Sequence, residues 1–196
     1  MAAPLSDQAM DQLFRTARTV NAYLDQPVAT QTLHAVWDLL KWGPTSVNCQ
    51  PIRIVWCVSQ EAKDKLAACA IAGNATKIKA APVTAIIGMD LEFYERLPEL
   101  FPAMETKSWF EGNTAFAETS AFRNSSLQGG YFIMAARALG LDVGPMSGFD
   151  NAAVDQAFFA GTSVKSNFIA TIGYGDLASA YPRAPRPTFD QSNRIA

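Results

Sequence analysis

The sequence predicts a sheet sandwiched by helices, of the α+β or α/β class, on three observations. Pro82 to Met89 is a continuous apolar run of strand length, which suits a strand buried on both faces and therefore in need of helices on either side. Leu33, Val36, Trp37 and Leu40 stand at the i, i+3, i+4, i+7 spacing of an amphipathic helix that starts near Thr30 and ends at Gly43-Pro44. Strand-like and helix-like stretches also alternate along the chain, giving about three core strands with helices before, between and after them.

The remaining elements follow from local chemistry. Residues 6 to 18 read as a first helix with Ser6 as a possible cap and Leu13, Phe14 and Ala17 on one side. Ile52 to Val58 is rich in β-branched and aromatic residues and reads as a strand, bounded by Pro51 and Ser59. Ser59 then caps a helix reaching Cys69, with Leu66 facing inward. Residues 91 to 116 are irregular and crowd Phe93, Tyr94, Leu97, Leu100, Phe101, Trp109, Phe110 and Phe116 together, the composition of a core plug or of a pocket roof. Glu118 to Leu139 is the longest helix, and from Leu127 to Leu141 its only charge is Arg137, so it has no evident solvent face. Leu141 to Val143 is extended, Gly144 to Gly148 a loop, Asn151 to Ala160 a short helix and Phe168 to Tyr174 a last strand. Beyond Gly175 the prolines describe an extended arm.

Composition narrows the function. The 196 residues suit a single domain, 1–196, large enough to fold without disulfides or a metal staple. Charged residues make up 17%, below the roughly 25% of a typical soluble domain, which points to surface covered by a partner subunit. Sixteen basic residues against eighteen acidic ones leave a net charge of −2, with no cationic field for nucleic acid. Cys49, Cys57 and Cys69 form no C-x-x-C pair, and with His34 alone the soft ligands are too few for a catalytic zinc, so no metal is expected. The amino end has no secretory pattern and Ala80 to Met89 is half the length of a membrane span, so a cytoplasmic protein without membrane contact is the expectation.

Two familiar motifs are absent. Gly173-Tyr174-Gly175 ends a strand late in the chain with no third glycine and helix after it, unlike a dinucleotide fingerprint. There is no G-x-S-x-G elbow, and a serine triad would have to recruit the lone His34. Four polar segments at element ends remain: Ala17 to Tyr23, Gly43 to Pro51, Gly73 to Lys77 and Gly144 to Asp150. Arg18, Lys77, Arg183 and Arg186 suit a phosphate; Thr19, Ser46, Asn48 and Asn74 offer neutral hydrogen bonds; Gly148 permits close backbone approach. Together they describe a polar cradle for a large, planar, phosphorylated ligand.

In this order, over essentially the whole chain, these segments resemble the flavin-dependent nitroreductase family. KWGPTSVNCQP, EFYERLPELFP, FRNSSLQGGY, LGLDVGPMSGFD, KSNF and IGYGD resemble its malonic semialdehyde reductase branch, of the Rut pathway of pyrimidine degradation. The resemblance implies an α+β homodimer with a central, mostly antiparallel sheet between helices, FMN at the subunit interface and a C-terminal arm exchanged with the partner. It implies that Arg18, Thr19 and Asn21 form a first FMN motif, that Asn74 and Lys77 contact the flavin, and that Pro145, Met146, Ser147 and Gly148 present backbone N–H to its N5 region. Pro44, Thr45, Ser46 and Asn48 would reach FMN from the other subunit, and Arg183 and Arg186 would meet its phosphate. Ala17, Asn21 and Ser147 depart from residues frequent in the family, two cations and a glutamate.

The implied activity is reduction of malonic semialdehyde to 3-hydroxypropionate, NADH or NADPH donating hydride through flavin N5 in a ping-pong cycle, with no catalytic side chain required. Phe93, Tyr94, Trp109 and Phe110 would roof the substrate, and Arg123 would grip its carboxylate unless it pairs with Glu118 or another interface acid. Two other classes stay open: a broad nitroaromatic or quinone reductase, and a non-enzymatic homodimeric binding module that has lost its flavin.

Overall fold

The computed structural model describes residues 3–196. Ser6 caps a short helix α1 (Asp7–Met10), which continues through one wider π turn to Arg15, three residues short of the expected end. Helix α2 (Thr30–Leu40) buries Leu33, Val36 and Leu40, the stripe that its spacing predicts. Strand β1 (Ile52–Cys57) leads through the Ser59 cap into α3 (Gln60–Ala67). Helix α4 (Ala72–Ala80) then stands at the polar segment Gly73 to Lys77, to which the sequence reading assigns no element. Propensity is poor there, and tertiary contacts supply the stability: Ile78 is fully buried and the Lys63 ammonium caps the carbonyl of Ala81 at 2.9 Å.

Strand β2 (Val83–Asp90) is followed by a helical knot ending in α5 (Leu97–Leu100), and then by α6 (Thr114–Ala138), capped by Asn113 and starting earlier than expected. Strand β3 (Asp142–Met146) takes in Gly144 to Met146, which the glycine and proline had suggested was a loop. After α7 (Asn151–Phe158), β4 runs from Val164 to Gly173, longer at its start than predicted. Lys165, Ser166 and Asn167 hide that extension in the sequence because its partners are polar: Asp155 accepts from the Ser166 amide at 2.7 Å and Asn167 donates to Ser125 at 2.7 Å. The tail is not wholly irregular, since Thr188 and Gln191 box the start of α8 (Phe189–Ser192).

The four strands form one antiparallel sheet in the order β1-β2-β4-β3. Alternation along β2 divides two cores: Val83, Ala85 and Ile87 pack with Leu33, Val36, Leu40, Phe132 and Ala136 of α2 and α6, while Ile86 packs with Leu66, Ile78 and Val154 of α3, α4 and α7. Helix α6 lies hard against the sheet, for a β-carbon at Gly129 would come within 2.5 Å of the Phe168 ring. A third core gathers Cys49, Met89, Phe93, Leu97 and Phe110 at the end of the sheet. No helix of the described residues is long and apolar enough to cross a membrane, and these residues hold no cluster suited to a metal.

Candidate functional site

The site is built on β3, which as the last strand of the sheet leaves one backbone edge unpaired. Residues 17 to 24 and 174 to 183 lie beside it, laced together: Leu24 N–H donates to Tyr174 O at 2.8 Å, and the Asn21 amide side chain to Ser179 O at 2.8 Å. Arg183 donates to the carbonyls of Arg15 at 2.8 Å and Ala17 at 3.2 Å, and Arg18 donates to Tyr181 O. Two guanidiniums from opposite ends of the chain therefore meet at one rim. Both are held by neutral carbonyls, and among the described residues neither pairs with a carboxylate. Arg186 bonds only to carbonyls of its own segment, Ala184 at 3.0 Å and Pro185 at 3.2 Å, and stands apart.

Gly144 joins this rim to the strand. A β-carbon there would stand 2.6 Å from Thr171 Oγ1, 3.5 Å from the Tyr23 hydroxyl and 3.8 Å from Thr19 Cγ2. Tyr23 donates to Thr171 Oγ1 at 2.8 Å, and Thr171 to Gly144 O at 3.4 Å, so the relay fixes the strand against the arginine-bearing segment. Burial, reinforced by the charge of Asp142, pushes the Tyr23 phenol up to about 12 against the opposing effect of its Thr171 hydrogen bond. It is a permanent donor at physiological pH, not a proton shuttle.

Following β3 outward, Pro145 and Ser147 are exposed and Met146 and Gly148 half-buried. The Ile71 amide and the Asn74 side chain both donate to Gly148 O at 3.1 Å. A β-carbon on Gly148 would fall 2.7 Å from Asn74 Nδ2, so a larger residue here would have to push the Asn74 side chain aside. Lys77 lies one helical turn beyond Asn74 on α4. The amides of Ser147 and Gly148 find no acceptor among the described residues. Cations at one end, free N–H groups along the floor and the Asn74 amide and Lys77 at the other end match the donor set of a phosphorylated, heteroatom-rich planar ligand.

The other expected contacts lie elsewhere in the chain. Pro44 to Asn48 sits by α6 and α5, with the Ser46 amide on Asn124 Oδ1 at 2.8 Å and the Asn48 side chain on Leu100 O at 2.8 Å. Within one subunit this loop belongs to the β1 end of the sheet, opposite β3. The aromatic roof splits. Phe93 and Phe110 are buried in the third core, so within a single chain they serve as core rather than as an exposed roof. Tyr94 stacks on Phe110 and is half-buried, and Trp109 is exposed. Arg123 is exposed on α6 beside Phe122 and Leu127 and makes no ion pair among the described residues, with Glu118 or any other acid.

Sequence reasoning passed over Tyr23, Thr171, Gln50, Asn124 and Gln128, which hold the site's loops in place. One signal pointed to the last two. Asn124 and Gln128 stand one turn apart on the buried face of the longest helix, where amides are costly unless paired.

Comparison with known proteins identifies the family and the fold. The model of the nitroreductase family matches residues 14–174. The chain belongs to the nitroreductase family. A Stenotrophomonas maltophilia protein, provisionally named NADH dehydrogenase/NAD(P)H nitroreductase, is 58% identical over 196 residues, covering 100% of both chains. A Burkholderia lata protein of the same provisional name is 59% identical over 191 residues, covering 97% of this nitroreductase and 98% of the relative. A Bacillus subtilis nitroreductase-type structure superposes with a TM-score of 0.88 at 22% identity, covering 97% of this chain and 100% of that one. Another, from Exiguobacterium sibiricum and solved in complex with FMN, superposes at 0.82 with 18% identity over 100% of both. At such identities the structures establish the fold, which is the nitroreductase fold.

Proposed function

We propose that this nitroreductase is an FMN-dependent NAD(P)H oxidoreductase that works as a homodimer. The carrying observation is the cradle along the open edge of β3, with Arg18 and Arg183 at one end, the free amides of Ser147 and Gly148 in the middle, and Asn74 and Lys77 at the other. The bound FMN of the Exiguobacterium protein and the nitroreductase names of the relatives support the same reading. When bound, FMN supplies a two-electron hydride relay between NAD(P)H and an acceptor. The chain's own work is then binding and orientation. Arg18 and Arg183 would hold the phosphate, Thr19, Asn21, Asn74 and Lys77 would offer hydrogen bonds to the rest of the cofactor, and the amides of Ser147 and Gly148 would donate to its heteroatoms.

The dimer is supported by α6, whose outer face exposes Phe122, Leu127 and Tyr131, with Phe14 of the first helical segment beside them. A groove of that apolarity on a chain with only 17% charge suits a second copy. A second subunit would also bring Pro44, Thr45, Ser46 and Asn48 to the cradle from outside. Arg186 and the exposed tail beyond it would lie against that subunit.

For the acceptor we favour malonic semialdehyde, reduced to 3-hydroxypropionate, on the six-segment resemblance and on Arg123, an exposed guanidinium with no carboxylate partner among the described residues that suits the substrate's own. The relatives' names favour a second reading, a broader nitroaromatic or quinone reductase. Steady-state turnover with NADH and with NADPH, against malonic semialdehyde, nitrofurazone and a benzoquinone, separates them. The first reading expects kcat/KM for the aldehyde at least about tenfold above the others and lost in Arg123→Ala. Preference for the nitro compound or quinone, indifferent to Arg123, establishes the second.

A further inference from the structure

We propose that Gln128 and Asn124 are positioning residues that hold the 44–50 loop in the one backbone conformation able to meet the cofactor, a role that rests on the flavin reading above. The loop carries three non-glycine residues in the left-handed region, Val47 at φ 45°, Asn48 at φ 51° and Gln50 at φ 41°. For β-branched Val47 this is an outlier, and such a conformation persists only where the surroundings over-determine it.

The surroundings here are two buried amides on α6, one turn apart. Gln128 is fully buried; its Oε1 accepts from Ile52 N–H at 3.1 Å and its Nε2 donates to Gln50 Oε1 at 2.6 Å. Gln50 Nε2 passes the restraint on to Asn48 Oδ1 at 2.9 Å, Thr45 Oγ1 at 3.3 Å and Gly43 O at 3.4 Å. Asn124, 3% exposed, holds the other side of the turn by accepting from Ser46 N–H at 2.8 Å, while its own Nδ2 is satisfied by Ser120 O at 2.9 Å. Leucine would fill the same space but would leave the Ile52 and Ser46 N–H groups without their acceptors, so each amide both satisfies a backbone donor and fixes where that donor points. What the amides specify is the path of the loop. The same helix turns Phe122, Leu127 and Tyr131 outward, so the element that would carry the subunit contact also sets the loop that would cross it.

The test uses the full-length protein in its apo and FMN-loaded forms. Gln128→Leu and Asn124→Leu are titrated with FMN by flavin fluorescence, and hydrogen exchange over residues 44–52 is followed in the apo protein. Expected is a rise of at least about tenfold in the FMN dissociation constant. Exchange should also rise over that segment, with subunit mass and helical circular dichroism unchanged. Val47→Gly and Val47→Pro isolate the backbone, since glycine adopts a positive φ freely while proline is fixed near −65°. The glycine variant should bind FMN within about twofold of the parent and the proline variant at least about tenfold more weakly. If the leucine variants do not fold, this pair decides alone. Folded leucine variants that bind FMN like the parent, or glycine and proline variants that bind alike, overturn the positioning role and leave the flavin reading intact. Failure of the parent chain itself to bind FMN overturns both.

Discussion

Arg18 and Arg183 reach the same rim from opposite ends of the chain, each anchored by backbone carbonyls, so their positive charge is available to a phosphate. Removing either should weaken FMN about tenfold or more, as befits one charge-assisted hydrogen bond. Riboflavin, which lacks the phosphate, should bind Arg18→Ala and Arg183→Ala as well as it binds the parent; equal losses for both ligands in a fluorescence titration would contradict the assignment. At Gly148 even alanine intrudes, its β-carbon falling on Asn74 Nδ2 and Ile71 Cδ1 at 2.7 Å. Gly148→Ala should therefore lower FMN affinity while costing under about 2 kcal/mol of stability, because α4 is a surface helix that can shift. The thiols behave differently from one another. Burial pushes Cys49 and Cys57 up to about 11, so Ellman's reagent should label only Cys69 in the native protein, and fast labelling of a second thiol would contradict the packing.

Helix α6 serves two masters as an element, with Phe132 fully buried on the sheet and Tyr131 and Leu127 facing outward. Phe132→Ala should cost about 3–5 kcal/mol in chemical denaturation. Leu127→Asp should instead leave the subunit folded, shift its mass in analytical ultracentrifugation from dimer to monomer, and release flavin; a flavin-loaded monomer would contradict an interface site. The sequence showed that α6 lacks a solvent face, since Arg137 is the only charge from Leu127 to Leu141, but could not say which side meets the sheet. Gly129 under Phe168 settles that, and such a contact between residues distant in the chain leaves no local pattern. The same holds for the elements that local reading missed or shortened. β3 looked like a loop because Gly144 and Pro145 suit turns, yet Gly144 is needed for its approach to Thr171 and Pro145 sits on an edge strand that can spare an N–H. α4 is hidden by Gly73 and Asn74, and β4 by polar residues whose partners lie on α6 and α7. The cradle residues were legible as residue types at element ends; the burial of Phe93 and Phe110 was not, because a plug and a roof have the same composition.

At the scale of the whole molecule, stability should follow the buried acids. Cys49, Cys57 and Tyr23 all titrate higher in the folded chain than the ordinary values near 9 and 10, so their contribution is complete below about pH 8.5 and lost as pH rises through 9 to 11. Urea denaturation should show a plateau near neutrality and a fall of about 2–3 kcal/mol by pH 10, and a stability still rising above pH 9 would contradict it. Three of the four polar segments converge on the open edge of β3 within one chain, while the fourth stands at the far end of the sheet, which is why the proposed flavin site draws on a second subunit. The most direct test is the visible absorption spectrum of the purified protein together with acid release of its chromophore. One FMN per chain on a dimer is the expected result; a colourless protein that takes up no FMN on reconstitution would contradict it.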